Sequence, residues 1–175
     1  MYNLDYYEKM LREYSASAKD ISLKRWWFIQ HNIPNAIRGI KVLDYGSGVG
    51  WFRAFRPSWA QVWSYDIAEY PQTGIELQTY DVLTLWDVLE HIQNFNAIEP
   101  IFRLVDYVAM TIPISYGPLD LSKHFKPGEH FHYFTETTLK ALMHRYDFQK
   151  IIFDYEVECP PRVDILSAIF KRGSK

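Results

Sequence analysis

Residues 41–51 read KVLDYGSGVGW and join an apolar run to an acid and a glycine-rich turn. The run, residues 40–43, is typical of the end of a buried strand, and Asp44 closes it. Three glycines follow at alternate positions: Gly46, Gly48 and Gly50. Because glycine accepts positive φ and has no Cβ, such a turn bends sharply and can bring backbone N–H groups against a ligand. With the acceptor Asp44 beside these donors, the stretch predicts a cofactor site.

A second strand with an acid at its end follows the glycine turn. Residues 51–55 can form only a short helix before Pro57, and a helix start there would add unpaired N–H groups and a positive dipole end. QVWSYD, residues 61–66, then reads as a strand that ends on Asp66. Asp66 lies 22 residues after Asp44, which suits a βαβ unit whose second acid binds ribose hydroxyls. An acidic residue after a strand can also cap a helix. Because Asp66 follows a glycine turn, we favour the interpretation that it binds ribose hydroxyls.

Composition and charge restrict the class of protein. The 175 residues are most simply one domain, and 48% apolar with 17% aromatic residues argue for a packed globule. A net charge of −2 with interspersed signs leaves no electrostatic footprint for nucleic acid or an anionic membrane. Cys159 is the single cysteine, which excludes an internal disulfide and fits a reducing compartment. With no spanning apolar run and no secretion-signal pattern near Met1, we expect a cytoplasmic protein.

The rest of the chain alternates helical and strand patterns. Residues 3–31 are predicted to be helical with a break at 15–19. The later predicted elements are a strand at 81–86, a helix from about 94 or 96, a strand at 107–114, a helix from Thr135 to Tyr146, and two antiparallel strands at 149–157 and 165–170. Residues 68–80 are too few for a full helix and strand, so we expect an abbreviated unit with a short strand at 75–77. The order predicts an α/β domain whose ligands bind beyond the carboxyl ends of a mostly parallel sheet.

Paired tryptophans, Trp26 and Trp27, stand in the first helical stretch. We interpret them chiefly as aromatic side chains that pack a helix onto the sheet. The alternative is that they form part of a lid over the cofactor site.

The spacing of the glycines separates two kinds of cofactor. The dinucleotide fingerprint G-x-G-x-x-G fails, because its third glycine would fall on Trp51.

VLDYGSGVG instead resembles the first motif of the class I S-adenosylmethionine-dependent methyltransferases, and SYD resembles their second. LTLWDVLEHI is similar to the fourth-strand motif of their small-molecule branch, and YVAMTIPI with GEHFHYFTETTLKALMHRYDF resembles that branch's later region. The resemblance spans roughly residues 40–170. It implies a Rossmann-like three-layer sandwich, with a sheet of seven strands or an abbreviated form of it and a C-terminal antiparallel hairpin.

The resemblance also implies roles for individual residues. Gly46, Ser47, Gly48 and Gly50 would pass close to the methionine moiety of S-adenosylmethionine, with Asp44 near its ammonium group. Asp66 would accept the ribose hydroxyls and Ile67 would lie against the adenine. Trp86 and Asp87 would line the cofactor near the sulfonium. Because the chain is shortened at 68–80, the polar contact to the adenine edge could fall to Thr79 or Asp81.

The candidates for proton transfer are histidines: His91, His124, His130 and His132. We prefer His130 as a general base because it follows a loop at the expected edge of the site and its neutral form can accept a proton. The alternative is that His130 only hydrogen-bonds the loop backbone. His91 is a second candidate, although it could merely orient the turn after the strand. We expect no metal site, because His130 and His132 would point to opposite faces of a strand.

The predicted function is methyl transfer from S-adenosylmethionine to a small-molecule acceptor, with S-adenosylhomocysteine as product. We expect one domain over 1–175, a helical cover at 1–35 and a Rossmann-like core at 36–175, in a monomer or homodimer. The alternatives are a domain that binds the cofactor without catalysis and a nucleotide-sugar or dinucleotide enzyme on a similar sheet. Fold alone does not decide among them.

Overall fold

A computed structural model describes residues 4–67, 78–118, 122–158 and 164–173. Six strands in these ranges form one sheet in the order β2-β1-β3-β4-β6-β5. The strands are β1 (Ile40–Tyr45), β2 (Ala60–Tyr65), β3 (Tyr80–Trp86), β4 (Val105–Pro113), β5 (Phe148–Asp154) and β6 (Ile165–Arg172). The first four pair in parallel, and β6 is antiparallel to both β4 and β5. The predicted mostly parallel sheet with a closing antiparallel hairpin is confirmed in an abbreviated form. The short strand expected at 75–77 lies outside the described residues.

The helices are α1 (Leu4–Asn32), α2 (Trp51–Ala54), α3 (Glu99–Phe102) and α4 (Glu136–Arg145). Helix α1 is continuous, so the predicted break at 15–19 is wrong. The segment SASAK alternates serine with alanine, and a serine inside a helix costs only about 0.5 kcal/mol relative to alanine. No helix in the described ranges is long and apolar enough to cross a membrane.

The helix between β3 and β4 is shorter than its apolar spacing predicts. Pro100 stands at the start of α3, and Val105 already belongs to β4, which leaves a single turn of helix. Thr135 caps helix α4 as predicted, and its side chain accepts a hydrogen bond from the Thr138 backbone N–H. The Thr138 hydroxyl closes a capping box with the Thr135 backbone, which explains the sharp helix start.

Successive strand residues point to opposite faces of the sheet, and each face is covered by helices. Val42 packs with Phe28 of α1 and Phe52 of α2 on one face. Leu43 packs on the other face with Phe102 of α3. Trp26 belongs to the first cluster, where its ring stacks on Phe52 at 4.2 Å and its Nε1–H donates to the Phe52 carbonyl. Its interpretation as a packing residue is confirmed, whereas Trp27 is 55% exposed.

The strand order changes direction at β1 and so places the candidate site. The chain passes from β1 to β2 on one side and later enters β3 on the other side. In open parallel sheets a crevice forms beyond the carboxyl ends at such a point. The last residues of the three strands there are Tyr45, Tyr65 and Trp86, and the region beyond them is called the crevice below.

Candidate functional site

The glycine turn is held against the end of β2 by its own backbone. The N–H groups of Gly46 and Ser47 both donate to the Tyr65 carbonyl, at 2.7 and 3.1 Å. Gly46 has a φ of +76°, and a Cβ built there would lie 2.4 Å from a methyl carbon of Val88. This position therefore needs glycine for both its conformation and its contact. Helix α2 after the turn is a single turn long, so a helix dipole adds little to the site.

Asp66 is a buried carboxylate that joins the glycine turn to α1. Its Oδ2 accepts the Gly48 backbone N–H at 2.7 Å, and its Oδ1 accepts the Tyr7 hydroxyl at 2.9 Å. These bonds satisfy a charge at the crevice floor. A carboxylate oxygen has more than one acceptor position, so Asp66 can accept a further hydroxyl as well.

Asp44 is fully enclosed at the end of β1. The Thr84 hydroxyl donates to its Oδ1 at 2.8 Å, whereas its Oδ2 has no hydrogen-bond partner among the described residues. Burial raises the pKa of Asp44 to about 6; the hydrogen bond from Thr84 and the charge of Arg25 reduce this effect, and the charge of Asp66 increases it. An incompletely satisfied buried carboxyl is costly for the folded protein, so it points to a ligand with a donor or a positive charge.

Arg25 of α1 reaches the end of β3 and connects three side chains there. Its Nε donates to Glu158 at 2.8 Å, and its Nη2 contacts Glu158 at 3.2 Å and Asp87 at 3.4 Å. Its guanidinium carbon lies 4.8 Å from the ring centre of Trp86. Asp87 has a φ of +55°, which turns the chain sharply after β3. Trp86 and Asp87 therefore lie together at the carboxyl end of β3.

Three side chains in and beside the turn after β3 form a compact polar cluster: Glu90, His91 and His130. Burial lowers the pKa of His130 to about 4, and the neighbouring His91 and Lys126 lower it further. Burial also lowers the pKa of His91, against the effect of its hydrogen bond to the Glu129 carbonyl. The His130 ring is therefore neutral at physiological pH.

Two sequence arguments about this part of the chain are wrong. Residues 130–133 form no strand, so the alternation used to argue against a metal does not apply, and His130 lies beside Glu90 and His91 instead of His132. Asp81 lies near the start of β3, where its carboxylate accepts the Lys41 backbone N–H at 2.7 Å. That is the opposite edge of the sheet from Asp44, so Asp81 cannot contact a ligand in the crevice.

The structure also adds site residues that sequence reasoning missed. Tyr7, Arg25 and Glu158 lie 59, 62 and 133 residues from the partners that bring them to the crevice. No local pattern marks such contacts. The nearest signal is the large number of aromatic residues in α1. Ile67, predicted to lie against the adenine, directly follows Asp66 and is 82% exposed.

The family of the chain follows from its sequence as a whole. A sequence model described as "Methyltransferase domain" matches residues 12–151, which include β1 to β4, the glycine turn and α4. The chain belongs to this methyltransferase domain family. A search among curated proteins finds no significant match.

Solved structures with the same fold are methyltransferases. The 1,6-didemethyltoxoflavin-N1-methyltransferase of Burkholderia thailandensis, solved with S-adenosylhomocysteine, is 17% identical over 93% of this chain and 82% of that chain, with a TM-score of 0.67. The magnesium protoporphyrin IX methyltransferase of Synechocystis PCC 6803 is 18% identical over 99% and 89%, with a TM-score of 0.62. An Archaeoglobus fulgidus SAM-dependent methyltransferase is 14% identical over 95% and 100%, with a TM-score of 0.65. At these identities the likeness establishes the shared Rossmann-like fold.

Proposed function

We propose that this chain transfers a methyl group from S-adenosylmethionine to a small-molecule acceptor. The observation that carries the proposal is Asp44, whose buried Oδ2 has no hydrogen-bond partner among the described residues beside a glycine turn. An ammonium group is the kind of ligand that such an oxygen requires, because it supplies both a positive charge and N–H donors. Family membership and the methyltransferases of the same fold support the same cofactor.

The crevice residues fit the parts of this cofactor. We assign Asp44 to the ammonium group, Asp66 to the ribose hydroxyls and Ile67 to the adenine. The turn would follow the methionine moiety through Gly46, Ser47, Gly48 and Gly50. Trp86 and Asp87 would line the region of the sulfonium. When bound, S-adenosylmethionine supplies an electrophilic methyl group.

The chain itself contributes alignment, water exclusion and polar groups on the acceptor side. Buried Trp86 and Val88, which contacts the glycine turn, provide apolar walls that exclude water. His130 and His91 are the polar side chains that we assign to the acceptor. A pKa of about 4 makes His130 a weak base at neutral pH. Its role is therefore better explained by binding the acceptor than by removing a tightly held proton directly.

We propose a small-molecule acceptor partly because the chain has a net charge of −2, with both signs interspersed along its sequence. We propose one domain over residues 1–175, with α1 as the cover of the core. We place it in the cytoplasm on the basis of its single cysteine, as a monomer or homodimer.

The test of the cofactor is thermal unfolding with S-adenosylhomocysteine, with NAD as the comparison. A ligand at a hundred times its dissociation constant adds about 2.7 kcal/mol, which should raise the midpoint by about 5–10 °C for a chain of this size. In Asp66→Ala we expect at least thirtyfold weaker binding, since a hydrogen bond to a charged group is worth about 2 kcal/mol. Asp81→Ala, at the opposite edge of the sheet, is the matched control. A folded wild-type protein without a shift would rule out the proposed cofactor.

Binding should depend on pH through Asp44. The free carboxyl has a pKa of about 6, and an ammonium group beside it must lower that pKa, so the ligand binds the ionised form. We expect affinity for S-adenosylhomocysteine to be constant above about pH 7 and to fall below pH 6 by up to tenfold per pH unit. Calorimetric titrations from pH 5 to 8 measure it, and Asp44→Asn should bind weakly without this slope. The same slope in Asp44→Asn would assign the proton to another group.

Binding of the cofactor without catalysis is the second candidate function, and the low pKa of His130 favours it because it makes this histidine a weak base at neutral pH. Tight binding of S-adenosylhomocysteine together with no methyl transfer across a panel of hydroxyl, amine and carbon acceptors would support this alternative.

A further inference from the structure

Glu90, His91 and His130 bring together the donor atoms of a metal site. One carboxylate oxygen and one ring nitrogen from each histidine all lie within 4.8 Å of one another. Ligand atoms that share one ion at about 2.1 Å are about 3.4 Å apart, so small side-chain rotations would bring the three into contact with an ion. His91 Nε2 lies 3.9 Å from Glu90 Oε1, which is beyond hydrogen-bond distance.

The backbone holds these side chains in a fixed relation. The Glu90 carbonyl accepts the N–H groups of Phe131 and His132 at 2.8 and 3.2 Å, which joins the His130 segment to the turn after β3. His91 Nδ1 lies 3.0 Å from the Glu129 carbonyl oxygen and therefore carries the proton. The lone pair is then on His91 Nε2. Metal-binding histidines are usually arranged in this way, with the other ring nitrogen donating a hydrogen bond that fixes the ring orientation.

The burial of these side chains favours a bound cation. The Glu90 side chain is 3% exposed and the His130 side chain 5%, whereas the His91 side chain is 19% exposed. A buried carboxylate gains from a nearby cation, because the cation compensates the charge that burial disfavours. The partial exposure of His91 leaves a route by which an ion can enter.

We propose that Glu90, His91 and His130 bind a divalent transition-metal ion. Two imidazoles and one carboxylate suit Zn²⁺, Co²⁺, Mn²⁺ or Fe²⁺ more than Mg²⁺ or Ca²⁺, which prefer oxygen ligands only. Three protein ligands leave at least one coordination position open. The site adjoins the cofactor crevice, since Val88, two residues before Glu90, lies against the glycine turn.

The open position identifies a class of acceptor, and this part of the inference rests on the proposed function. A hydroxyl oxygen that coordinates the ion becomes more acidic and is held in one orientation. The acceptor would then be an oxygen compound, whose oxygen forms a bond to the methyl carbon as the methyl–sulfur bond breaks and whose proton passes to solvent. A second neighbouring oxygen on the acceptor would strengthen its binding to the ion.

The test uses the full chain without a purification tag, freed of metals by a chelator and titrated with Co²⁺. Visible d–d absorption reports an ion bound by nitrogen and oxygen ligands, and competition with Zn²⁺ measures its affinity. We expect one bound Co²⁺ per chain, at least hundredfold weaker in Glu90→Gln and in His130→Gln. His144→Gln, which changes an exposed histidine on α4, is the matched control and should bind as the wild type does.

The outcomes separate this site from the proposed cofactor. Circular dichroism in the absence of metal establishes that each variant is folded, and His91→Gln, at the most exposed of the three positions, tests the site if a buried variant unfolds. No Co²⁺ absorption with the folded wild type, or equal binding in the three variants, would overturn the proposal. Co²⁺ binding without a midpoint shift by S-adenosylhomocysteine would instead reject the cofactor and leave the metal site standing.

Discussion

Gly46→Ala should destabilise the chain by about 3 kcal/mol and remove most of its affinity for S-adenosylhomocysteine. A non-glycine residue at a φ of +76° costs about 1–2 kcal/mol, and the new methyl carbon would lie 2.4 Å from a Val88 methyl carbon. Relief of that contact must move the turn or Val88, which both border the crevice. Urea unfolding measures the stability, and calorimetry measures the binding.

Gly50→Ala separates conformational strain from steric contact. Gly50 has a similar φ of +82°, but a Cβ built there meets nothing within 4 Å. It should therefore lose only about 1–2 kcal/mol. The double variant Gly46→Ala/Val88→Ala should recover part of the loss of Gly46→Ala. Equal destabilisation in Gly46→Ala and Gly50→Ala would show that the contact with Val88 contributes nothing.

Arg25→Met should also cost about 3 kcal/mol, which corresponds to a midpoint about 6–12 °C lower. The Glu158 side chain is 1% exposed, and Arg25 holds it with contacts at 2.8 and 3.2 Å. Loss of the cation from a buried pair leaves a carboxylate whose desolvation is no longer compensated. Differential scanning calorimetry at pH 7 measures the effect.

A double-mutant cycle assigns this loss to the pair. Arg25→Met/Glu158→Gln should be more stable than Arg25→Met, because both charges are then absent. Lys24→Met is the matched surface control, since Lys24 and Asp20 form an exposed pair worth only a few tenths of a kcal/mol. If Arg25→Met is no less stable than Lys24→Met, burial of Glu158 does not depend on Arg25.

Local patterns account for much of the fold and for the centre of the site. The apolar run ending on Asp44, the glycine turn and the acid at Asp66 specify β1, the turn and β2 because each is encoded within a few residues. Thr135 specifies the start of α4 for the same reason, through a capping box three residues long. The continuity of α1 is harder to predict, because the segment SASAK has only a weak preference for helix, which the rest of α1 outweighs.

The rest of the site depends on contacts that are distant in sequence. Tyr7 and Arg25 reach the crevice only because α1 packs across the sheet, and no spacing within α1 indicates their partners. No local pattern indicates the metal candidate, because the structural neighbours of His130 belong to the turn after β3, about 40 residues away in sequence. The fold as a whole determines which residues lie beside His130, and that is not a local property of the sequence.

The position of β6 has a consequence for biosynthesis. This strand is the last in the described chain, yet it lies between β4 and β5 and all residues from Ile165 to Phe170 are buried. Until β6 leaves the ribosome, the nine residues of β4 present an open apolar edge. Nascent chains stalled before that point should therefore be prone to aggregation and dependent on chaperones, even though every cofactor residue that we assign has already been synthesised.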